Sequence, residues 1–267
     1  MPRLRNVLRL TIGLAAMAWA IAAQSAAPQI GIAIMHGKGG SPGGYVSDLA
    51  SSLEEKGYLV ANLEMPWSGR RNYDVPVDAA VTELQSALEA LRSRGAKKVF
   101  VAGHSLGGLF AVYYGGKQPV DGVIAIAPGG SVSTPVFRAK LGDSVAHARR
   151  LVAAGTPNET TRFMDYESSR GTFPVITTPG AYLSWFDPDG AMSMLRSAKA
   201  MNPKVPVLYV APTDDYPLLV KTKHVIFGAL ASHPLTKFYE PDATHLNAPS
   251  ASLGEILRWT AQVAGGS

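Results

Sequence analysis

The sequence contains no cysteine. That excludes disulfide bridges, a thiolate nucleophile and zinc sites built on cysteine. Charged residues make up only 17% of the 267 positions, and no Lys/Arg run is longer than a pair. Bases outnumber acids 25 to 20, but Arg3, Arg5 and Arg9 stand in the first nine positions; without those three, 22 bases face 20 acids. So even a balance argues against a nucleic-acid partner. The chain has no HExxH helix and no GK[ST] triplet of a nucleotide loop. No metal or organic cofactor is therefore expected. Beyond the N-terminal segment no stretch is apolar for the roughly 20 residues that cross a bilayer. There is no internal repeat or low-complexity segment, and nothing in the sequence sets an oligomeric state. A chain of this length fits one α/β domain, or one domain carrying an insertion.

The N-terminus follows its own pattern. A basic stretch, Arg3 to Arg9, precedes the uncharged apolar run Leu10 to Ala23 and the small residues AAQSAAP. This is the layout of a secretory signal peptide, residues 1–25, with cleavage after Ala22 or Ser25. An uncleaved anchor is the alternative. The mature chain, 26–267, is expected to be secreted or periplasmic, with no stable membrane insertion once the signal is removed.

Short runs rich in Ile and Val then alternate with amphipathic stretches. The expected strands are Ile30–Met35, Leu59–Met65, Lys98–Ala102, Gly122–Ala127, Val205–Val210 and Lys237–Glu240. The expected helices are Val46–Lys56, Val77–Arg94, Leu106–Gly115 and Ser252–Val263. Repeated strand–helix–strand units predict a mostly parallel sheet with helices on both faces. Between Pro128 and Pro203 no convincing strand is found, only helical patterns over Phe137–Ala154 and Gly190–Met201 and a Pro- and aromatic-rich middle. An interruption of that length predicts a helical cap, about 129–204, folded over the sheet. Within it, Asp187-Pro188-Asp189-Gly190 lacks the further ligands of a calcium loop and is expected to be a turn.

The chemistry-bearing motif is Gly103-His104-Ser105-Leu106-Gly107, fed by the strand KKVFVA and left by the apolar helix LGGLFAVYYGG. A bare G-x-S-x-G is weak, but a strand-to-helix turn in which glycines clear the space lifts a serine hydroxyl above the strand end. A second glycine-rich turn, His36-Gly37-Lys38-Gly39-Gly40, closes the first strand. It does not match the dinucleotide fingerprint, since Pro42 stands where the third glycine belongs.

On these motifs the chain resembles the α/β-hydrolase superfamily, in its serine esterase and lipase branch, over nearly the whole mature length. The resemblance implies that Ser105 is the nucleophile and that the backbone N–H groups of Lys38 and Leu106 form an oxyanion hole. It places the catalytic histidine at His245, in the loop DATHLNAP after the last strand, in the superfamily's chain order Ser, acid, His. The acid falls in Pro212-Thr213-Asp214-Asp215, where Pro212 replaces the family's glycine; this register selects Asp215, with Asp214 as the alternative. Trp67, His104, Tyr182 and Trp185 are candidate substrate-binding residues, although aromatics in an insertion more often pack a core. The Lys38 side chain is a candidate contact for a substrate carboxylate, with solvent as its alternative. The expected activity is carboxylic ester hydrolysis through an acyl-enzyme, on a small-molecule ester; a thioesterase, amidase, peptidase or acyltransferase would use the same groups, and a non-catalytic binding protein could keep the fold.

Overall fold

The computed structural model describes residues 29–266, so the expected signal peptide lies outside the described residues. The chain runs β1 (Ile30–Met35), α1 (Ser47–Glu55), β2 (Leu59–Leu63), α2 (Val77–Ser93), β3 (Lys98–His104), α3 (Leu106–Gly115) and β4 (Gly122–Ile126). Next come α4 (Pro135–Ala153), β5 (Thr161–Glu167), β6 (Gly171–Thr177), α5 (Pro179–Phe186) and α6 (Met194–Lys199). It closes with β7 (Val207–Val210), α7 (Pro217–Gly228), β8 (Lys237–Tyr239), α8 (Ala248–Ala251) and α9 (Leu253–Gly265). Six strands form a parallel sheet in the order β2-β1-β3-β4-β7-β8. This is the α/β-hydrolase fold.

The sheet is buried on both faces because successive side chains alternate. Ile32 and Ile34 of β1 pack with Leu49 and Leu53 of α1 and with Ile256 and Trp259 of α9. Ala33 and Met35, from the same strand, face the opposite cluster, which holds Leu84 and Leu88 of α2 and Leu109 and Phe110 of α3. In α2 the buried residues Val77, Ala80, Leu84, Leu88 and Leu91 recur at spacings of three and four, one apolar stripe laid on the sheet.

The sheet's strand order reverses between β1 and β3. The loops leaving their C-terminal ends diverge there and open a crevice, the usual ligand position in an open parallel sheet. β3 runs two residues beyond its expected end, through Gly103 and His104, so Ser105 is the turn itself.

The insertion between β4 and β7 corrects the sequence reading. It contains the antiparallel hairpin β5–β6, in register from Thr161↔Thr177 to Glu167↔Gly171, where no strand was expected. The cap is helical as expected, in α4, α5 and α6, with this hairpin added. The signal was hidden because residue type does not follow burial: Phe163 and Asp165 point inward on one strand and Val175 and Thr177 on the other, so two of the four inward residues are polar, while Ile176 is exposed and Pro174 stands opposite Met164. Asp187–Gly190 is the expected turn, with the Gly190 N–H donating to Asp187 O at 2.9 Å.

Aromatic stacking holds the cap together. Tyr182 lies between Phe163 and Phe186, with both centroid distances 4.4 Å. Phe163→Ala is expected to lower unfolding free energy by about 3–5 kcal/mol, the usual cost of emptying a packed aromatic site. Urea denaturation measures it; a loss below about 1 kcal/mol would mean that this stack does not hold the cap.

Candidate active site

Ser105 adopts φ 55° and ψ −116°, outside the regions open to ordinary residues, as expected of a side chain held at a functional turn. Close approach forces the turn. A Cβ on Gly103 would lie 2.1 Å from Gly107 O, and one on Gly107 would lie 2.7 Å from both Met35 O and His36 O. Backbone bonds then pin the serine: its N–H donates to Ile126 O at 2.9 Å, and its carbonyl accepts from Gly129 at 3.0 Å and Leu109 at 3.1 Å.

The loops after β7 and β8 are lashed side by side. Thr213 N–H donates to Pro241 O at 3.0 Å, Asp214 N–H donates to Ala243 O at 3.1 Å, and Asp214 bridges Thr244 as an isolated parallel pair. The following residue of each loop then turns inward. His245 Nδ1 donates to Asp215 Oδ1 at 2.7 Å, with 7% and 4% of the two side chains exposed. The same carboxylate oxygen accepts from Tyr216 N–H at 2.6 Å. Asp214 is exposed and acts through its backbone. With its proton on Nδ1, His245 presents a free Nε2.

His104 Nε2 lies 2.9 Å from His245 O. A carbonyl only accepts, so His104 carries its proton there and fixes the backbone of the second histidine. Burial pushes the His104 pKa down to about 4, and the neighbouring His245 imidazole adds to this, so His104 is neutral. His36 is likewise held below its ordinary value by burial. Its Nδ1 donates to Gly37 O at 2.7 Å, while its Nε2 accepts from Met65 N–H at 3.1 Å.

Gly37 O also accepts from Gly40 N–H at 3.1 Å, and Gly39, at φ +65°, donates to Trp67 O at 2.8 Å. Neither Lys38 nor Leu106 gives its N–H to another backbone group among the described residues. The Lys38 side chain takes neither expected course: Nζ pairs with buried Asp165 of the cap at 2.6 Å.

Ser105, His245 and the Gly37–Gly40 turn line one cavity of about 590 Å³, within the usual range for small-molecule sites. Cap residues Phe137, Tyr166 and Met194 roof it, and Tyr45, Tyr216, Leu218 and Leu246 form an exposed apolar rim. His104 lines it as well. Trp67, Tyr182 and Trp185 do not, which corrects their expected role. Their rings are buried with one another and with Phe110, Phe163 and Phe186, and the indoles of Trp67 and Trp185 donate to His36 O and Val75 O. Composition could not separate a core ring from a lining ring. Tyr216 was findable, since it directly follows Asp215; Phe137 and Tyr166 required the cap's path. Among the described residues no group of three or more His, Asp or Glu could hold a metal ion, and no helix is long and apolar enough to cross a membrane.

A family model described as "Serine aminopeptidase, S33" matches residues 26–167, more than half of the chain. The monoacylglycerol lipase of Paleococcus ferrophilus is 23% identical, over 87% of this chain and 94% of that one, at a TM-score of 0.60. DcsB, solved with a substrate analogue, is 16% identical over 90% and 92%, at 0.65. Est1E of Butyrivibrio proteoclasticus, solved with ferulic acid, is 14% identical over 89% and 92%, at 0.58. At these identities the likeness is one of fold. No curated protein shows significant similarity to the chain.

Because His104 and His36 are held neutral, the unfolded chain takes up protons that the folded chain refuses. Stability is therefore expected to fall as pH drops from 6.5 towards about 4. His104→Gln, which keeps a donor, should flatten that fall. Urea midpoints at stepped pH test it; an unchanged slope would mean that His104 titrates normally.

Proposed function

The chain belongs to the serine aminopeptidase S33 family of α/β-hydrolases, and from that membership we propose that it is an exported serine hydrolase of carboxylic esters. The supporting observation is the His245–Asp215 pair at 2.7 Å, in the cavity that also exposes Ser105 at its strained turn. Ser105 Oγ attacks the ester carbonyl while His245 Nε2 takes its proton. Negative charge gathers on the carbonyl oxygen, facing the N–H groups of Lys38 and Leu106. The intermediate collapses, His245 returns the proton to the departing alcohol, and the acyl group remains on Ser105. Water, deprotonated by His245, then attacks the acyl-enzyme, and the acid leaves as His245 returns that proton to Ser105 Oγ. Asp215 holds the imidazole in the required tautomer and stabilises its charged form. Export rests on the N-terminal layout of Arg3 to Ala23.

Lys38 is committed to Asp165, so its own ammonium is not free to attract a substrate carboxylate. The substrate is a neutral ester with a modest apolar group, in keeping with an apolar rim and with the fold likeness to a monoacylglycerol lipase and to Est1E bound to ferulic acid. An aminopeptidase is the second reading, favoured by the family's description. It needs a free carboxylate for a peptide's ammonium group. Glu64 and Glu167 line the cavity, but Arg70 and Arg170 accompany them at 3.3 Å and 3.9 Å.

Ser105→Ala and His245→Ala should each abolish turnover of p-nitrophenyl acetate without unfolding the chain. Asp215→Asn should lower kcat by about 10⁴-fold, and Asp214→Asn far less. Normal activity in the Ser105 or His245 variant would remove that residue from the mechanism, and the reverse order of the two acids would shift the register by one. Short-chain p-nitrophenyl esters should be cleaved faster than long-chain ones and than aminoacyl p-nitroanilides. A preference for emulsified triacylglycerol, or for the anilides, would sink the substrate assignment.

A further inference from the structure

Asp165 is fully buried in the cap, and the mechanism does not use it. Its Oδ1 accepts from Lys38 Nζ and from Tyr166 N–H, both at 2.6 Å, and its Oδ2 accepts from Tyr73 OH at 3.1 Å. The Lys38 ammonium also donates to Tyr166 O at 3.2 Å and sits 5.0 Å and 5.8 Å from the ring centres of Phe137 and Phe186. A buried ion pair is a weak source of stability, since apolar groups of similar volume commonly do as well. What this pair supplies is position.

Within Gly37-Lys38-Gly39-Gly40 only Lys38 has a side chain. His36 and Gly40 hold the Gly37 carbonyl. Because the peptide is planar and trans, the Lys38 N–H points the opposite way. That sets the tilt of the peptide but leaves its far end, the Lys38 Cα, in a run of glycines with few intrinsic restraints. The Lys38 stem ties that end to the cap.

We propose that the cap sets the oxyanion hole by gripping the Lys38 ammonium through Asp165, which makes Lys38, Asp165 and Tyr73 positioning residues for acyl transfer. The proposal rests on the reading of Ser105 as nucleophile and of the Lys38 N–H as an oxyanion donor. The donor meets full negative charge only in the tetrahedral intermediate. Misplacing it therefore lowers kcat and leaves KM nearly intact.

Two variants test the grip. Lys38→Met keeps the stem between Phe137 and Phe186 and removes the charge; Lys38→Met with Asp165→Asn removes both charges. Active sites are titrated to completion with a fluorophosphonate, and kcat per titrated site is measured on p-nitrophenyl acetate. Both variants should lose about 10- to 100-fold in kcat per site, with KM within about threefold. Affinity for a trifluoromethyl ketone, which forms a tetrahedral adduct, should fall in parallel. A merely structural pair would lower the titrated fraction and the melting midpoint but leave kcat per site unchanged. Should Lys38→Met alone unfold the chain, the charge-balanced double variant decides. Wild-type kcat per site in either folded variant overturns the proposal while leaving Ser105 in place. Wild-type activity in Ser105→Ala would instead overturn the functional reading beneath it.

Discussion

The site depends on the contact between the end of β1 and the start of α3, where no side chain fits. Gly107 stands against the carbonyls of Met35 and His36, and Gly103 against the backbone of Gly107. That closeness holds Ser105 at positive φ and brings the Gly37 turn beside it: a Cβ on Gly37 would lie 3.2 Å from Ser105 Cβ. Ser105 and the Gly37 turn are thus placed by one packing constraint. The constraint is backbone against backbone, which no rotamer change relieves. The backbone bonds of Ser105 to Ile126, Leu109 and Gly129 hold the strained conformation against relaxation.

The parallel sheet brings the other groups to the same end, because every strand leaves its loop there. Asp215 and His245 come from neighbouring strands β7 and β8, and the pairing of Asp214 with Thr244 sets the two loops in register. Successive residues of an extended segment face opposite ways, so one loop yields an exposed Asp214 that fastens backbone and an inward Asp215 that meets the imidazole. His104 adds a second fastening from β3, through the carbonyl of His245 itself.

The central strands were legible because burial on both faces leaves near-continuous Ile, Val and Ala runs. The turn at Ser105 was legible because glycines flank it between a strand and an apolar helix. The acid's register followed from family resemblance alone, and only the contact with His245 distinguishes Asp215 from its neighbour by geometry. The β5–β6 hairpin was not legible: burial alternates along both strands, but polar Asp165 and Thr177 occupy inward positions and apolar Ile176 an outward one, so the letters do not show it. Trp67, Tyr182 and Trp185 were misplaced for a related reason. A ring lining a cavity and a ring filling a core have the same sequence signature, and long-range path decides between them. The ion pair of the Lys38 side chain could not be read, since its partner lies 127 positions away.

These distant partners also settle what kind of cap this is. The loop leading into α2 carries Asn72 and Tyr73 at positive φ, and that bend sends the Tyr73 hydroxyl to Asp165. From the same loop, Tyr73 O accepts from Thr177 Oγ1 at 2.6 Å, Val75 O from the Trp185 indole at 2.7 Å, and Val77 N–H donates to Ser184 Oγ at 3.0 Å. Hinging the cap away would break these bonds together, part the Asp165 carboxylate from Lys38 and Tyr73, and expose a stack of aromatic rings. Each of these bonds is worth about 0.5–1.5 kcal/mol net, so losing all of them together with the burial of that stack makes opening costly. The cap is accordingly part of the wall of the site and not a lid across it. The exposed apolar rim of Tyr45, Tyr216, Leu218 and Leu246 lies outside the cap, and the cap adds exposed Ser168 and Ser169 of the β5–β6 turn to the same mouth.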